Sequence, residues 1–138
     1  MTIPLTVVHP AVQMRLNGLV LRLIEGPAHR MLPSGLTEIS YTGPVSGRAI
    51  RLPASSVMDG SRFLVVAGRP EQKQWWRAFL HPQPARLVRA GSRYDVKGHV
   101  LAGAQRSRAL AAYLVAHPSS RRGIGPQTPV IAFDRVAL

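Results

Sequence analysis

The stretch YTGPVSGRAIRLPASSVMDGSRFLVVAGRPEQKQWW, residues 41–76, decides the fold of this chain. It opens with a turn of small residues, Thr42-Gly43-Pro44-Val45-Ser46-Gly47-Arg48, continues through segments of strand-like composition and closes on Trp75 and Trp76. Glycine and proline mark turns, and β-branched residues between them favour strands. A glycine-bounded turn, a hairpin and a tryptophan-bearing helix in this order indicate the ligand-binding half of a small barrel.

The rest of the chain supplies the other strands of such a barrel. We predict six strands, at residues 36–42, 48–58, 62–67, 85–89, 94–101 and 129–136, each carrying β-branched, aromatic or alternating residues bounded by turn residues. Asp59-Gly60 predicts a tight hairpin, because both residues tolerate positive φ, and residues 89–93 predict a second, looser turn. Helices are predicted at residues 71–80 and 105–117, the second ended by Pro118. The pattern predicts a mainly β, α+β barrel with helices at its ends.

We predict that residues 1–31 form an amphipathic helical segment ahead of a single barrel domain at residues 32–138. Apolar residues recur at helical spacing between positions 11 and 24, interrupted by Arg15 and Arg22, and the segment is too short and too charged to span a bilayer. Two interpretations stay open: a helix packed over one end of the barrel, or a basic amphipathic helix resting on an anionic membrane surface. No secretory signal is recognisable, so we expect an unprocessed, cytoplasmic protein, which in the second case is peripheral at the inner face of the membrane.

The charge balance limits the partners. The chain has 18 Lys and Arg against 6 Asp and Glu, a formal net charge of +12, which attracts anionic molecules. The arginines are scattered, with only Arg121 and Arg122 adjacent, and no nucleic-acid-binding motif is present, so nucleic acid is not the expected partner. The five histidines lack metal-ligand spacing, the carboxylates are dispersed, and there is no cysteine. We therefore expect no metal site and no disulfide.

Several short motifs carry a resemblance to a known family. Leu36-Thr37, Thr42-Gly43, Ser46-Gly47, Pro53 and Trp75 follow one another in the family's order. From about residue 32 to residue 136 the chain resembles the deazaflavin-dependent nitroreductase/quinone reductase family of split β-barrel oxidoreductases. The resemblance implies a split β-barrel and a pocket for coenzyme F420, a deazaflavin hydride carrier with an anionic tail. Flavin mononucleotide is the alternative cofactor, because related split barrels use it.

The resemblance also implies which residues hold the cofactor. Small residues in a turn let backbone N–H groups approach an anion, and neighbouring cations add Coulombic attraction. The expected cofactor-binding residues are Ser46, Gly47, Arg48, Arg51, Pro53 and Arg69 around the tail, and Val66, Ala67, Gly68, Trp75 and Trp76 around the ring. Pro44 and Val45 stand where the family has arginine and lysine, and Ala78 where it has asparagine. Solvated arginines and core packing of the tryptophans are the alternative roles.

Two functions remain open from the sequence. The first is a reductase that passes hydride from a reduced deazaflavin to a quinone, nitro compound or enone, with the cofactor supplying the chemistry and no catalytic residue identified. Residues 117–125, where characterised reductases have tyrosines, contain none, so His117, Ser120 or solvent would supply a proton, and Tyr113 is expected to pack against the barrel. The second is a non-catalytic relative that binds another anionic or lipophilic molecule, or a partner. Split barrels often pair, so a homodimer is one expected assembly, beside a monomer.

Overall fold

Six antiparallel strands close into a barrel in the order β1-β2-β3-β6-β5-β4. The structure is a computed structural model that describes residues 18, 20–22, 24–26, 35–68 and 74–136. The strands are β1 Leu36–Thr42, β2 Ala49–Asp59, β3 Arg62–Val66, β4 Gln83–Arg89, β5 Ser92–Val100 and β6 Val130–Arg135. All six predicted strands are confirmed, with ends shifted by at most two residues. The predicted class, a mainly β, α+β split barrel, is also confirmed.

Alternate residues of each strand point into the barrel, as the period of two requires. Ile39, Phe63, Leu87, Val96 and Phe133 have no exposed surface and form one core cluster. Burying each such side chain stabilises the fold by roughly 1.5 to 3 kcal/mol, so this interior is the main source of stability.

The outer surface of β3 and β6 is covered by one long helix, α1, at Gly103–Ala116. Ala109 of this helix packs with Leu64 and Ala132, and Tyr113 is buried, as predicted. The prediction of a helix at residues 105–117 is confirmed. Pro118 ends α1 and begins a short 3-10 helix, Pro118–Gly123, because its fixed φ suits a first helical position.

Two hairpins differ in detail from the sequence prediction. Asp59 pairs with Arg62, so the two-residue loop is Gly60-Ser61, one residue later than predicted; Gly60 has a φ of 64°. Arg89 pairs with Ser92, so the second loop is Ala90-Gly91, with φ values of 51° and 79°. Positive φ at both central positions is the conformation that tight hairpins favour. The prediction of a looser second turn was therefore wrong.

The segment that carries the tryptophans is shorter than the predicted helix. Trp75–Phe79 is a single 3-10 helix, and the part of the prediction at residues 71–73 lies outside the described residues. Tight 3-10 geometry is common in short connections of this kind. Its position in front of β4 places the tryptophans over one end of the barrel.

Near the N-terminus the described residues 18, 20–22 and 24–25 are helical. Leu21 and Ile24 pack against Leu36 and Val88, so this helix lies on the outer wall formed by β1 and β4. Apart from Gly26, which follows this helix, the other residues of the predicted 1–31 segment lie outside the described part, and the proposed contact with an anionic membrane stays a prediction. Among the described residues, no helix is long and apolar enough to cross a membrane.

Candidate functional site

The turn and the tryptophan segment, which are distant in sequence, meet at one end of the barrel. They enclose a cleft of about 610 Å³. Its walls come from the end of β1, the following turn, the start of β2 and the Trp75–Phe79 helix. The lining residues are Tyr41, Gly43, Pro44, Val45, Ser46, Ile50, Gln74, Trp75, Arg77 and Ala78. The structure therefore brings together Ser46 and Trp75, two of the predicted cofactor-binding residues.

Phe79 anchors the tryptophan wall of the cleft to the barrel core. Its side chain is completely buried and meets Tyr41, Trp75 and Phe133 edge-on, with ring centroids 5.0, 6.2 and 5.2 Å apart. Such edge-to-face pairs are favourable beyond their buried area. The Tyr41 hydroxyl also donates a hydrogen bond to the Trp75 carbonyl at 3.2 Å. Burial raises the pKa of Tyr41, which keeps the hydroxyl protonated as a donor.

The turn that forms the opposite wall is held by its own backbone. The amide of Gly43 donates to the Arg48 carbonyl at 2.8 Å, and that of Gly47 to the Gly43 carbonyl at 2.9 Å. A Cβ at Gly43 would lie 2.5 Å from the Ser46 hydroxyl oxygen, so a larger residue there would force this hydroxyl to rotate away. The Arg48 amide donates to this hydroxyl oxygen at 3.2 Å.

These hydrogen bonds limit the turn as an anion site. Three amides are used within the turn and Pro44 has none, which leaves Val45 and Ser46 as the turn amides without an acceptor among the described residues. An anion-binding concavity of the kind expected from the sequence relies on several converging N–H groups. Side-chain cations must therefore contribute most of the attraction for an anion at this wall.

Arg51 does not lie at the cleft. On the outside of the barrel its Nε donates to the buried Glu38 at 2.7 Å and its terminal nitrogen to Glu25 at 2.8 Å, and the hydrogen bond with Glu38 raises its pKa. It lines a separate groove of about 390 Å³. Pro53 lies on the same strand, opposite Glu38, away from the cleft lining. Arg51 fastens the N-terminal helix to the barrel, and its charge is neutralised.

The remaining predicted residues that the structure describes are absent from the cleft lining. Arg48 is exposed and Gly68 lies just after β3, while Ala67 is buried and bonded through its amide to the Pro129 carbonyl at 2.9 Å. The cleft lining does not include them, nor Val66 at the end of β3. Arg69 lies outside the described residues. Trp76 packs beside the core, outside the lining, and its buried indole N–H has no partner in the described part of the chain.

Arg77 was missed by sequence reasoning and lines the cleft. Its guanidinium carbon lies 5.7 Å from the centre of the Trp76 ring, and one of its nitrogens lies 3.4 Å from the Gln74 amide oxygen. A 3-10 helix has three residues per turn, so residues three apart share an edge. This spacing places Gln74 and Arg77 on one edge of the segment, beside the edge that carries Trp75 and Ala78.

The suggested proton sources lie away from the cleft. His117 ends α1, with its ring 4.9 Å from that of Tyr113, and burial lowers the pKa of His117. Ser120 lies in the following 3-10 helix. Neither belongs to the cleft lining, which also contains no aspartate, glutamate or histidine among the residues described.

Comparison with known proteins establishes the fold and leaves the family open. No protein-family model and no curated protein sequence matches the chain. A solved F420-H2 dependent reductase, FDR-A, superimposes with a TM-score of 0.62 at 16% identity, covering 75% of this chain and 96% of its own. A solved structure described as a domain-swapped dimer superimposes with a TM-score of 0.63 at 16% identity, and the match covers 91% of this chain and 100% of the other. A protein of unknown function from Agrobacterium tumefaciens str. C58 superimposes with a TM-score of 0.62 at 12% identity, and the match covers 99% of this chain and 58% of the other.

Proposed function

We propose that this protein is a deazaflavin-dependent oxidoreductase that binds coenzyme F420 at the cleft and transfers hydride to a small organic acceptor, such as a quinone, nitro compound or enone. The observation that carries the proposal is the cleft itself, built from the turn and the Trp75 wall in a fold shared with an F420-H2 dependent reductase. Its volume of about 610 Å³ lies in the range typical of small-molecule sites.

The residues present fit the two parts of such a cofactor differently. Tyr41, Ile50 and Trp75 offer an apolar and aromatic surface that suits a flat ring system. For the anionic tail, Arg48 follows the turn, is exposed and forms no ion pair among the described residues. The cofactor fits, with its tail served by cations other than Arg51.

A bound deazaflavin supplies the hydride, and the protein supplies position and environment. Trp75 and Ile50 exclude water from one side of the cleft, and the Tyr41 hydroxyl fixes the Trp75 backbone. Since the Tyr41 proton is committed to this hydrogen bond and the described lining has no other acid, the proton that completes a reduction comes from water at the open side.

A second candidate function is a non-catalytic split barrel that binds another lipophilic or anionic molecule. Two observations favour it: Arg51 is held by two carboxylates, and three turn amides are bonded within the turn. Both features remove groups that would bind the cofactor phosphate.

Titration with purified coenzyme F420, followed by cofactor fluorescence, separates the two functions. We expect saturable binding that Trp75→Ala weakens by about three- to tenfold, since aromatic contacts of this kind contribute roughly 0.5 to 1.5 kcal/mol. Leu80→Ala, which removes an exposed apolar side chain outside the lining, is the control. Flavin mononucleotide is titrated in parallel. If neither cofactor binds at saturating protein, the redox proposal is wrong and the binding function stands.

A homodimer is part of the proposal, supported by the domain-swapped dimer among the similar structures. Light scattering coupled to gel filtration measures the mass directly. A mass of 15.0 kDa across the accessible concentration range would show a monomer instead.

A further inference from the structure

Arg77 is an unneutralised cation at the rim of an apolar cleft. Three other arginines, Arg51, Arg62 and Arg86, form ion pairs with carboxylates at 2.7 to 3.3 Å, whereas Arg77 has no carboxylate partner among the residues that the structure describes. Acidic residues are scarce in this chain, 6 in all, and none lies in the described lining of the cleft. Arg77 is therefore the one charged side chain among the described residues that line the cleft.

The guanidinium also makes two contacts within its own segment. Stacking over the Trp76 ring at 5.7 Å and the 3.4 Å contact with Gln74 restrict a side chain that otherwise loses much rotamer freedom on binding. Arg77 is exposed, so its remaining N–H groups face solvent at the mouth of the cleft. A planar guanidinium in this position suits bidentate recognition of a carboxylate or similar oxyanion.

The surface next to this cation is apolar. Pro44 and Ala78 line the cleft where the resemblance led us to expect polar or cationic side chains, and Trp75 and Ile50 extend the same surface. A neutral apolar molecule packs against the apolar surface but leaves Arg77 without an anionic partner. An inorganic anion pairs with Arg77 but does not cover the apolar surface. A molecule with a flat apolar body and one oxyanion complements both.

We propose that this cleft recognises a planar amphiphile that carries an anionic group, bound through Arg77, in preference to a neutral quinone or nitro compound; in the reductase this molecule is the acceptor. This inference rests on the proposed function in one respect, namely that the cleft is the ligand site. It assigns Arg77 as the residue that determines specificity for charge.

The test uses a matched pair of fluorescent probes without cofactor: anilinonaphthalene sulfonate, which is anionic, and N-phenylnaphthylamine, which is neutral. Arg77→Gln is compared with Arg121→Gln, an exposed arginine on another element that removes the same net charge. We expect Arg77→Gln to weaken the sulfonate probe on the order of tenfold, because a charge-assisted hydrogen bond at an exposed rim is lost, and the neutral probe less than about twofold. Arg121→Gln should leave both probes within about twofold of the native protein.

Two further measurements make the result decisive. Arg77→Lys retains the charge and should recover part of the sulfonate affinity. Ala78→Leu fills the cleft beside Arg77 and should weaken both probes, with thermal unfolding confirming that each variant is folded. Equal effects of Arg77→Gln and Arg121→Gln on the sulfonate, or an equal loss of the neutral probe in Arg77→Gln, would overturn the inference.

Displacement of the probe by coenzyme F420 separates this inference from the proposed function. If the probe shows Arg77-dependent binding and the coenzyme neither binds nor displaces it, the redox function fails and the charge specificity stands. If the coenzyme binds and the probe shows no dependence on Arg77, the charge specificity fails and the redox function stands.

Discussion

Gly98→Ala should destabilise the barrel because of two rings that touch this glycine. A Cβ at Gly98 would lie 2.7 Å from Phe79 and 2.7 to 2.8 Å from Phe133, whereas non-bonded carbons prefer about 3.5 to 4.0 Å. Both phenylalanines are completely buried, so each ring must move by about 1 Å against its neighbours. Overpacking of this kind costs about 1 to 3 kcal/mol, a large share of the roughly 5 to 15 kcal/mol typical of a domain.

Urea unfolding followed by tryptophan fluorescence measures this change, since both tryptophans lie next to Phe79 in the same 3-10 helix. The expected result is a lower midpoint with an unchanged slope. Because Phe79 also supports Trp75, we further expect the native-state emission to shift and binding at the cleft to weaken. Gly123→Ala is the control, since its Cβ would meet no atom within 4 Å. If Gly98→Ala and Gly123→Ala unfold at the same urea concentration, the packing around Phe79 is looser than described.

Three further predictions concern other parts of the barrel. Ala90→Asn should stabilise the fold by about 0.5 to 1 kcal/mol in the same unfolding assay, because Ala90 has a φ of 51° in a turn that favours Asn-Gly. Ala90→Val should destabilise the fold, because a β-branched residue disfavours positive φ. Arg51→Gln should lower the free energy of unfolding by about 1 to 3 kcal/mol, because it leaves the Glu38 carboxylate, 2% exposed, with fewer hydrogen bonds. Arg86→Gln, in an exposed ion pair, is the control and should change it by less than about 0.5 kcal/mol. Equal effects of the two substitutions would contradict the role of the buried carboxylate. Burial lowers the pKa of His117 in the folded protein below its ordinary value of 6.5. The neutral imidazole therefore contributes stability above about pH 6.5, and this contribution is lost as the pH falls through the pKa of the folded state. His117→Gln should flatten the dependence of the free energy of unfolding on pH in this range.

The barrel was predictable because its strands carry strong local signals. The β-branched and aromatic residues of Ala49–Asp59 and Arg62–Val66, separated by Gly60, were enough to place a hairpin within one residue. The second hairpin was misjudged because Ala90 is not a residue that signals positive φ. There the pairing of β4 with β5 imposes a conformation that the local sequence disfavours.

The site was less predictable, because its residues are selected by contacts between distant segments. Arg51 is 13 residues from Glu38 and 26 from Glu25, and nothing in the local sequence indicates that these carboxylates hold it outside the cleft. Trp75 and Ser46 were identified by resemblance, and the structure places both at the cleft. Arg77 was missed because its place in the lining depends on how the Trp75–Phe79 helix packs beside the turn, which the local sequence does not indicate.

The two walls of the cleft are fixed before a ligand binds, which determines how ligands are distinguished. One wall is held by hydrogen bonds within the turn and the other by Phe79 in the core, so binding orders little backbone. The loss of conformational entropy on binding is then small. Differences in affinity between ligands should therefore follow their complementarity to the apolar surface and to Arg77. Val45, 98% exposed at the tip of the turn, is the lining residue with most freedom to adjust, because its side chain has almost no packing to lose.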